Sequence, residues 1–277
     1  MQRIFFKPIA ALQGIVKHIE ILDVPDVAKA QIGNRFIPDG YFEIGFNLGS
    51  EDLQFISSSN RDAVLNNPTG GYFYAQEISS SCMHAKGKLC IMIIKIYPWA
   101  APLLSRMDFG ELVNEKVNIT YVLGKQARSL GEQILEVPSY SQKVALIQDF
   151  LLQQLYKVDE VINPILQHTT KLILHHNGKL NTRTIANQAH ISERNLQRLF
   201  RKHYGISPKQ LSKQIRLRHF ATLLSKNRTA TFTDIALQCG YYDQAHFNHE
   251  FKSIVKVTPR AYFLKETPLI SDFLEAG

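Results

Sequence analysis

Ile185-Ala186-Asn187-Gln188-Ala189-His190-Ile191-Ser192-Glu193-Arg194-Asn195-Leu196-Gln197-Arg198-Leu199-Phe200-Arg201 has a second version further along the chain, Ile235-Ala236-Leu237-Gln238-Cys239-Gly240-Tyr241-Tyr242-Asp243-Gln244-Ala245-His246-Phe247-Asn248-His249-Glu250-Phe251-Lys252. The first part repeats at an offset of 50, whereas Leu196 and Phe247, Phe200 and Phe251, and Ser207-Pro208 and Thr258-Pro259 are related by 51. The extra residue falls between two apolar stretches, where a turn absorbs a length change and leaves both helical registers intact.

Each copy reads as short helix, tight turn, second helix. Asn181 or Thr182 is the expected cap of a first helix reaching Ala189, and Ser192 that of a second running to about His203, where Gly205 ends it. In the second copy Thr233 is the expected cap of a helix ending at Cys239, with Gly240 past its end and Asp243 capping the next. Between the copies, Ser207-Pro208 opens a helix to about Lys226 whose Leu211, Ile215, Leu217, Phe220, Leu223 and Leu224 face both units. In the first unit Leu196, Leu199 and Phe200 form the inward stripe, and in the second Ala245, Phe247 and Phe251. Arg194, Gln197, Arg198 and Arg201, and then Gln244, His246, Asn248, His249 and Lys252, are left outward. That chemistry suits base edges in a DNA major groove, where Arg pairs with guanine and Asn or Gln with adenine.

Charge is distributed unevenly. Residues 1–160 hold 15 Lys+Arg against 17 Asp+Glu, a balance of −2, and residues 161–277 hold 17 against 7, a balance of +10. A neutral module followed by a basic one points to a polyanionic partner. The longest wholly apolar run, Leu89 to Ile94, is far short of the roughly 20 residues that cross a bilayer, and no signal-peptide pattern opens the chain, so a cytoplasmic protein with no membrane partner is expected. Cys82, Cys90 and Cys239 have neither the number nor the spacing of a disulfide framework or zinc knuckle, and read as buried thiols.

Before the repeat, Tyr41 to Leu48 alternates cleanly, with Phe42, Ile44, Phe46 and Leu48 on one face and Glu43 and Asn47 on the other. Leu89 to Tyr97 is apolar on both faces. A closed or nearly closed antiparallel sheet is the simplest assembly of these strands. A helix over about 140–157, capped by Ser139, carries Val144, Ile147, Leu151 and Leu155; the spacing favours packing on its own sheet over a dimer seam. The expected class is therefore α+β and multidomain. A β-rich, cupin-like domain with C-terminal helices spans 1–158, and an all-α double helix-turn-helix domain spans 163–267, with its units at about 181–203 and 233–253 and a tail over 268–277.

Residues from near Ile165 to Phe263 resemble the DNA-binding domain of AraC/XylS-type bacterial transcription regulators. The resemblance rests on Ser192-x-x-x-Leu196-x-Arg198-x-Phe200, Gly205-x-Ser207-Pro208, and Ile235-Ala236-x-x-x-Gly240-Tyr241-x-Asp243-Gln244-x-x-Phe247-x-x-x-Phe251-Lys252 followed by Thr258-Pro259. It implies a sequence-specific regulator, such as an activator, with double-stranded DNA as partner, RNA polymerase and a small-molecule effector as further candidates, and a homodimer as the assembly. The family's base-reading positions fall on Arg194, Gln197 and Arg198 and on Gln244, His246, Asn248 and His249; members often carry Arg where His249 stands, leaving its contact to base or phosphate. Phosphate contacts are expected from Arg183, Arg201, Lys202 and Lys252. Lys256 departs from the usual Gly before the second x-Thr-Pro.

The N-terminal part resembles, less specifically, the cupin-like sensors of such proteins, with Ile37-Pro38-Asp39-Gly40 leading into the alternating strand as in an uncharacterised class of them. Phe42, Phe46, Tyr72, Tyr74 and Tyr97 are candidates for an effector pocket, the alternative being core. His18 and His84 stand far apart, so neither a metal nor a cofactor is expected. No catalytic residue is assigned. Two other readings are a DNA-tethered enzyme using a cysteine such as Cys82, and a ligand-independent DNA binder.

Overall fold

The computed structural model describes residues 2–27, 35–49, 53–57, 62–65, 71–84, 87–105, 107–157, 161–227 and 229–263. The tail expected over 268–277 lies outside the described residues.

Strands β1 (Gln2–Phe6), β2 (Val16–Val24), β4 (Phe42–Asn47), β7 (Gly71–Tyr74), β9 (Leu89–Ile96) and β10 (Lys116–Asn118) form an antiparallel sheet in the order β1-β2-β9-β4-β7-β10. A second sheet is ordered β3 (Arg35–Phe36), β8 (Ser81–His84), β5 (Leu53–Ser57), β6 (Asp62–Leu65). The strands thus divide into two sheets instead of one closed sheet, because β5 pairs with β6 and β8 and adds nothing to the edge of the first. β9 lies between β2 and β4, and its eight residues are all buried, as its two-sided apolar pattern required. In β4 the alternation holds: Phe42, Ile44 and Phe46 enter the core, while Glu43 turns to the opposite face, directly across from Lys95 of β9.

Helices α1 (Ile119–Leu123), α2 (Gln126–Glu136) and α3 (Tyr140–Lys157) follow. Ser139 and Gln142 cap α3 reciprocally, the Ser139 hydroxyl accepting from the Gln142 backbone N–H at 3.2 Å and Gln142 Oε1 accepting from Ser139. Val144, Ile147 and Leu151 are buried in the core of their own chain and Leu155 packs beside them.

The C-terminal part comprises α4 (Pro164–His175), α5 (Thr182–Gln188), α6 (Glu193–Tyr204), α7 (Pro208–Lys226), α8 (Phe232–Gln238), α9 (Gln244–Val255) and α10 (Pro259–Phe263). Its first helical unit shares a core with the sheet: one apolar cluster runs from Leu12 through Phe42, Phe73 and Phe109 to Leu196, Phe200, Tyr204, Leu211 and Ile215. The second unit has its own cluster, from Leu217 and Phe220 through Phe247 and Phe251 to Tyr262. The seam between the two cores therefore falls inside α7, between Ile215 and Leu217. Gly205 shows how close the approach is: it ends α6 at φ 75°, and a Cβ there would lie 2.2 Å from Val113 Cγ2.

Candidate nucleic-acid interface and effector cavity

In the first unit Asn181 is the cap, its side chain accepting from Thr184 N at 2.8 Å. The chain turns at His190, φ 53°, and Ser192 caps α6 through Asn195 N. Leu196, Phe200 and Tyr204 anchor α6 from below, leaving Arg194, Gln197, Arg198, Arg201 and Lys202 exposed. Arg198 donates to Asn195 Oδ1 at 3.0 Å, which orients its guanidinium along the outer face.

The second unit corrects two expectations. Its first helix is capped by Thr231, not Thr233, because Thr231 and Asp234 form a reciprocal capping box. Ala245 is exposed instead of inward: α9 buries Phe247, Glu250, Phe251 and Ile254, and Ala245 lies off that stripe. Asp243 caps α9 through His246 N at 2.7 Å. Gln244, His246, Asn248, His249 and Lys252 are exposed together. His246 is partly engaged already, since its Nδ1 accepts from Tyr242 N at 3.4 Å and its ring meets Tyr241 edge-on.

Glu250, which the outward-face reading passed over, is buried between Lys213 and Arg216 of α7, with Arg216 Nε 3.3 Å from Oε1. It ties the second recognition helix to the helix that joins the units. Lys256 takes the left-handed conformation at φ 68° that its position demands. Lys256→Gly is accordingly expected to raise stability by about 1 kcal/mol, read as a higher urea midpoint with an unchanged slope; a lower midpoint would show that the Lys256 side chain contributes more than its backbone strain costs.

Beside each recognition helix lies a cleft. The first gathers Lys179, Arg183, Arg201 and Lys209 beside Gln197, and the second Lys252 and Arg260 beside Asn248 and His249. Arg183, Arg201 and Lys252 are among the residues expected to meet phosphate, and Lys179, Lys209 and Arg260, not singled out from the sequence, stand beside them. Lys209 and Arg260 each follow a repeated Pro and carried a legible signal. Lys202 is exposed but is not among the cleft residues.

A cavity of about 100 Å³ opens in the N-terminal domain. Phe46, Tyr72 and Tyr74 line it, whereas Phe42 is core, packed on Phe73 and Phe109, and Tyr97 stacks on Trp99 at 4.4 Å. The rest of the wall is mixed, with Ile37, Ile91 and Ile93 beside five charged groups, Asp39, Glu43, Glu77, Lys95 and Lys116. Lys95 donates to Asp39 and, at 2.6 Å, to Glu43, while Lys116 donates to Glu77. Burial alone would raise the Asp39 carboxyl, but Lys95 and Arg218 override it and hold it at about 2. Glu43 moves the other way: burial and the neighbouring Asp39 charge outweigh the Lys95 it shares.

The same walls hold the helical units. Gln214 of α7 donates to Glu77 O at 2.6 Å and Gln210 to Ile78 O at 3.1 Å, while within the wall Gln76 donates to Gly40 O at 2.9 Å. Ser80 donates through its backbone to Ile254 O and through its hydroxyl to Val255 O, at the end of α9. The guanidinium of Arg218 sits 5.2 Å over the Tyr41 ring.

Cys90 and Cys239 are buried free thiols. Burial raises the thiol of Cys90 and pushes that of Cys239 up to about 11, opposite to what a nucleophile needs. The Cys82 side chain lies outside the described residues.

Two capped helix-turn-helix units with exposed polar recognition faces, joined by one long helix and preceded by a β-rich domain, define a double helix-turn-helix protein with an N-terminal companion domain. The model of a helix-turn-helix domain matches residues 185–265, and that of a domain of unknown function (DUF6597) matches residues 4–118. Residues 185–265 are thus a DNA-binding domain of the AraC/XylS type. The chain is similar to the lactose operon transcription activator of Staphylococcus xylosus, 25% identical over 170 residues that cover 57% of this chain and 58% of that protein. It is also similar to the transcriptional activator RhaS of Escherichia coli, 26% identical over 153 residues covering 51% and 55%. It therefore spans a little over half the length of these relatives. A solved structure of an apo ToxT variant from Vibrio cholerae matches with a TM-score of 0.50 at 10% identity, over 89% of this chain and 96% of that one, a likeness of fold.

Proposed function

We propose that the chain is a sequence-specific transcription regulator that reads two adjacent major-groove segments with α6 and α9 and adjusts that reading through a small molecule bound in the N-terminal cavity. One observation carries it: both recognition helices are capped and anchored, and they expose the faces bearing Arg194, Gln197 and Arg198 and Gln244, Asn248 and His249. Two such helices on one chain suit half-sites one helical turn, ~34 Å, apart. Arg183, Arg201, Lys209 and Lys252 supply phosphate contacts that fix register without reading sequence. Regulatory control has support in the wall segments of the cavity, which are bonded both to α7 and to the end of α9. The relatives are named as activators, which favours activation and, with it, contact with RNA polymerase, and a homodimer doubles the length of operator read.

The reading is tested by selecting bound sequences from a random double-stranded pool with the full chain at near-physiological salt. Two short enriched blocks one turn apart are expected; binding that enriches nothing and disappears with salt would replace the regulator by a nonspecific electrostatic binder. Within the enriched site, Arg198→Ala is expected to lose roughly 1–3 kcal/mol of discrimination at one base position. Equal weakening on every sequence would instead assign Arg198 to phosphate.

A further inference from the structure

The cavity wall carries both signs of charge, and its carboxylates are more exposed than its ammoniums. The Lys95 and Lys116 side chains are 8% and 4% exposed, each turned onto carboxylates, whereas Asp39, Glu43 and Glu77 retain 21%, 25% and 16%. An entering molecule therefore meets carboxylates first. An anion would be repelled by them and would reach an ammonium only by displacing Asp39, Glu43 or Glu77 from its ion pair. A cation needs no such displacement.

The compensation is also uneven along the wall. Asp39 draws on Lys95, Arg218 and Lys17 together, while Glu43 leans on the Lys95 it shares with Asp39, so its ionised form is less supported than that of Asp39 and gains from a further positive charge. Tyr72 and Tyr74 stand beside these groups in the wall. The Tyr74 ring is seated against Gly45, where a Cβ would lie 2.7 Å from it, and already has the Lys116 ammonium 5.9 Å from its centroid, a setting that favours positive charge.

We propose that this cavity binds a small organic cation, a primary ammonium or a guanidinium, held by Glu43 and Glu77 beside Tyr72 and Tyr74. The volume of about 100 Å³ suits a compact molecule. The assignment deepens the reading of the cavity as an effector site, and its test contains no DNA, so its failure leaves the DNA-reading proposal standing and the reverse also holds.

The test uses the full chain and two sets of probes matched in size and differing in charge: butylamine, butanol and butyrate, and methylguanidine against methylurea, each followed by calorimetry and by the thermal midpoint. The cations are expected to bind and to raise the midpoint by roughly 5 °C at about a hundredfold excess over Kd, with their neutral and anionic counterparts inactive. Glu43→Gln is expected to weaken the cation about tenfold, and Glu77→Gln serves the same purpose where loss of the Lys95 pair unfolds the first variant. Butyrate or butanol binding as well as butylamine would overturn the proposal, as would the absence of binding by either cation or unchanged affinity in both folded variants.

Discussion

Lys95→Met lowers the stability of the folded chain by about 3 kcal/mol at neutral pH, and the loss shrinks as the solution is acidified. Lys95 is 6% exposed and bonded to both Asp39 and Glu43, so an apolar replacement of similar length keeps the packing and leaves two carboxylates in a wall they entered only as partners of an ammonium. Arg218 and Lys17 still face Asp39, which places the main burden on Glu43 and the figure at the low end of the range for a broken buried pair.

The pH dependence has a definite sign. In the native chain Asp39 has a depressed pKa of about 2, so its contribution is present above its ordinary value of 3.8 and is lost as pH falls through about 2. In the variant, burial is unopposed at Glu43 and less opposed at Asp39, both pKa values rise, and protonation relieves the penalty before the native chain has lost its own stabilisation. Urea melts of the two proteins at neutral pH and near pH 4 are therefore expected to converge on the acid side. A variant as stable as the native chain, or a deficit of the same size at both pH values, would show that the Lys95 cluster contributes nothing as an ion pair.

That cluster also marks where reading along the chain stops being informative. Lys95 stands in the sequence as the residue that ends an apolar run, and its partners lie 56 and 52 positions earlier, brought opposite it only by the β4–β9 register. The helix-turn-helix units behave differently, since what forms them is local. Ser192, Ser207 and Asp243 each cap the helix that begins at the next residue, and Gly205 and Gly240 take the positive φ their places demand. Even the Thr231 cap had a local signal in Thr231-x-x-Asp234, which the choice of Thr233 overlooked. Glu250 illustrates the intermediate case: one turn after His246 on a helix full of polar residues, it reads as solvated, and only the approach of α7 with Lys213 and Arg216 buries it. Aromatic candidates for the cavity divided for the same reason, because whether Tyr74 or Tyr97 faces a void depends on Gly45 across one strand pair and Trp99 beside the other.

The division of the core inside α7 leads to the other large effect. Phe247→Ala removes a fully buried ring stacked on Phe220 at 4.1 Å and in edge contact with Phe251 and Tyr241, a loss of roughly 3–5 kcal/mol. The cluster it leaves is small and, apart from Ile37 packed against it, is built from α7 and the second unit, whereas α6 is anchored in the core it shares with the sheet through Phe42, Phe109 and Tyr204. A loss of that size exceeds what the second cluster can absorb locally, so α8 and α9 are expected to open while α5, α6 and the N-terminal domain stay folded. Amide hydrogen exchange should then rise across 232–255 and remain slow across 196–204, and footprinting on a selected DNA site should lose one block and keep the other. Leu196→Ala is the matched control, because the shared core transmits its damage into the sheet. Exchange that rises equally in both units of the Phe247 variant would mean that α7 and the bonds from Ser80 to the end of α9 join the two cores into one cooperative body, and a ligand in the cavity would then stabilise both recognition helices together.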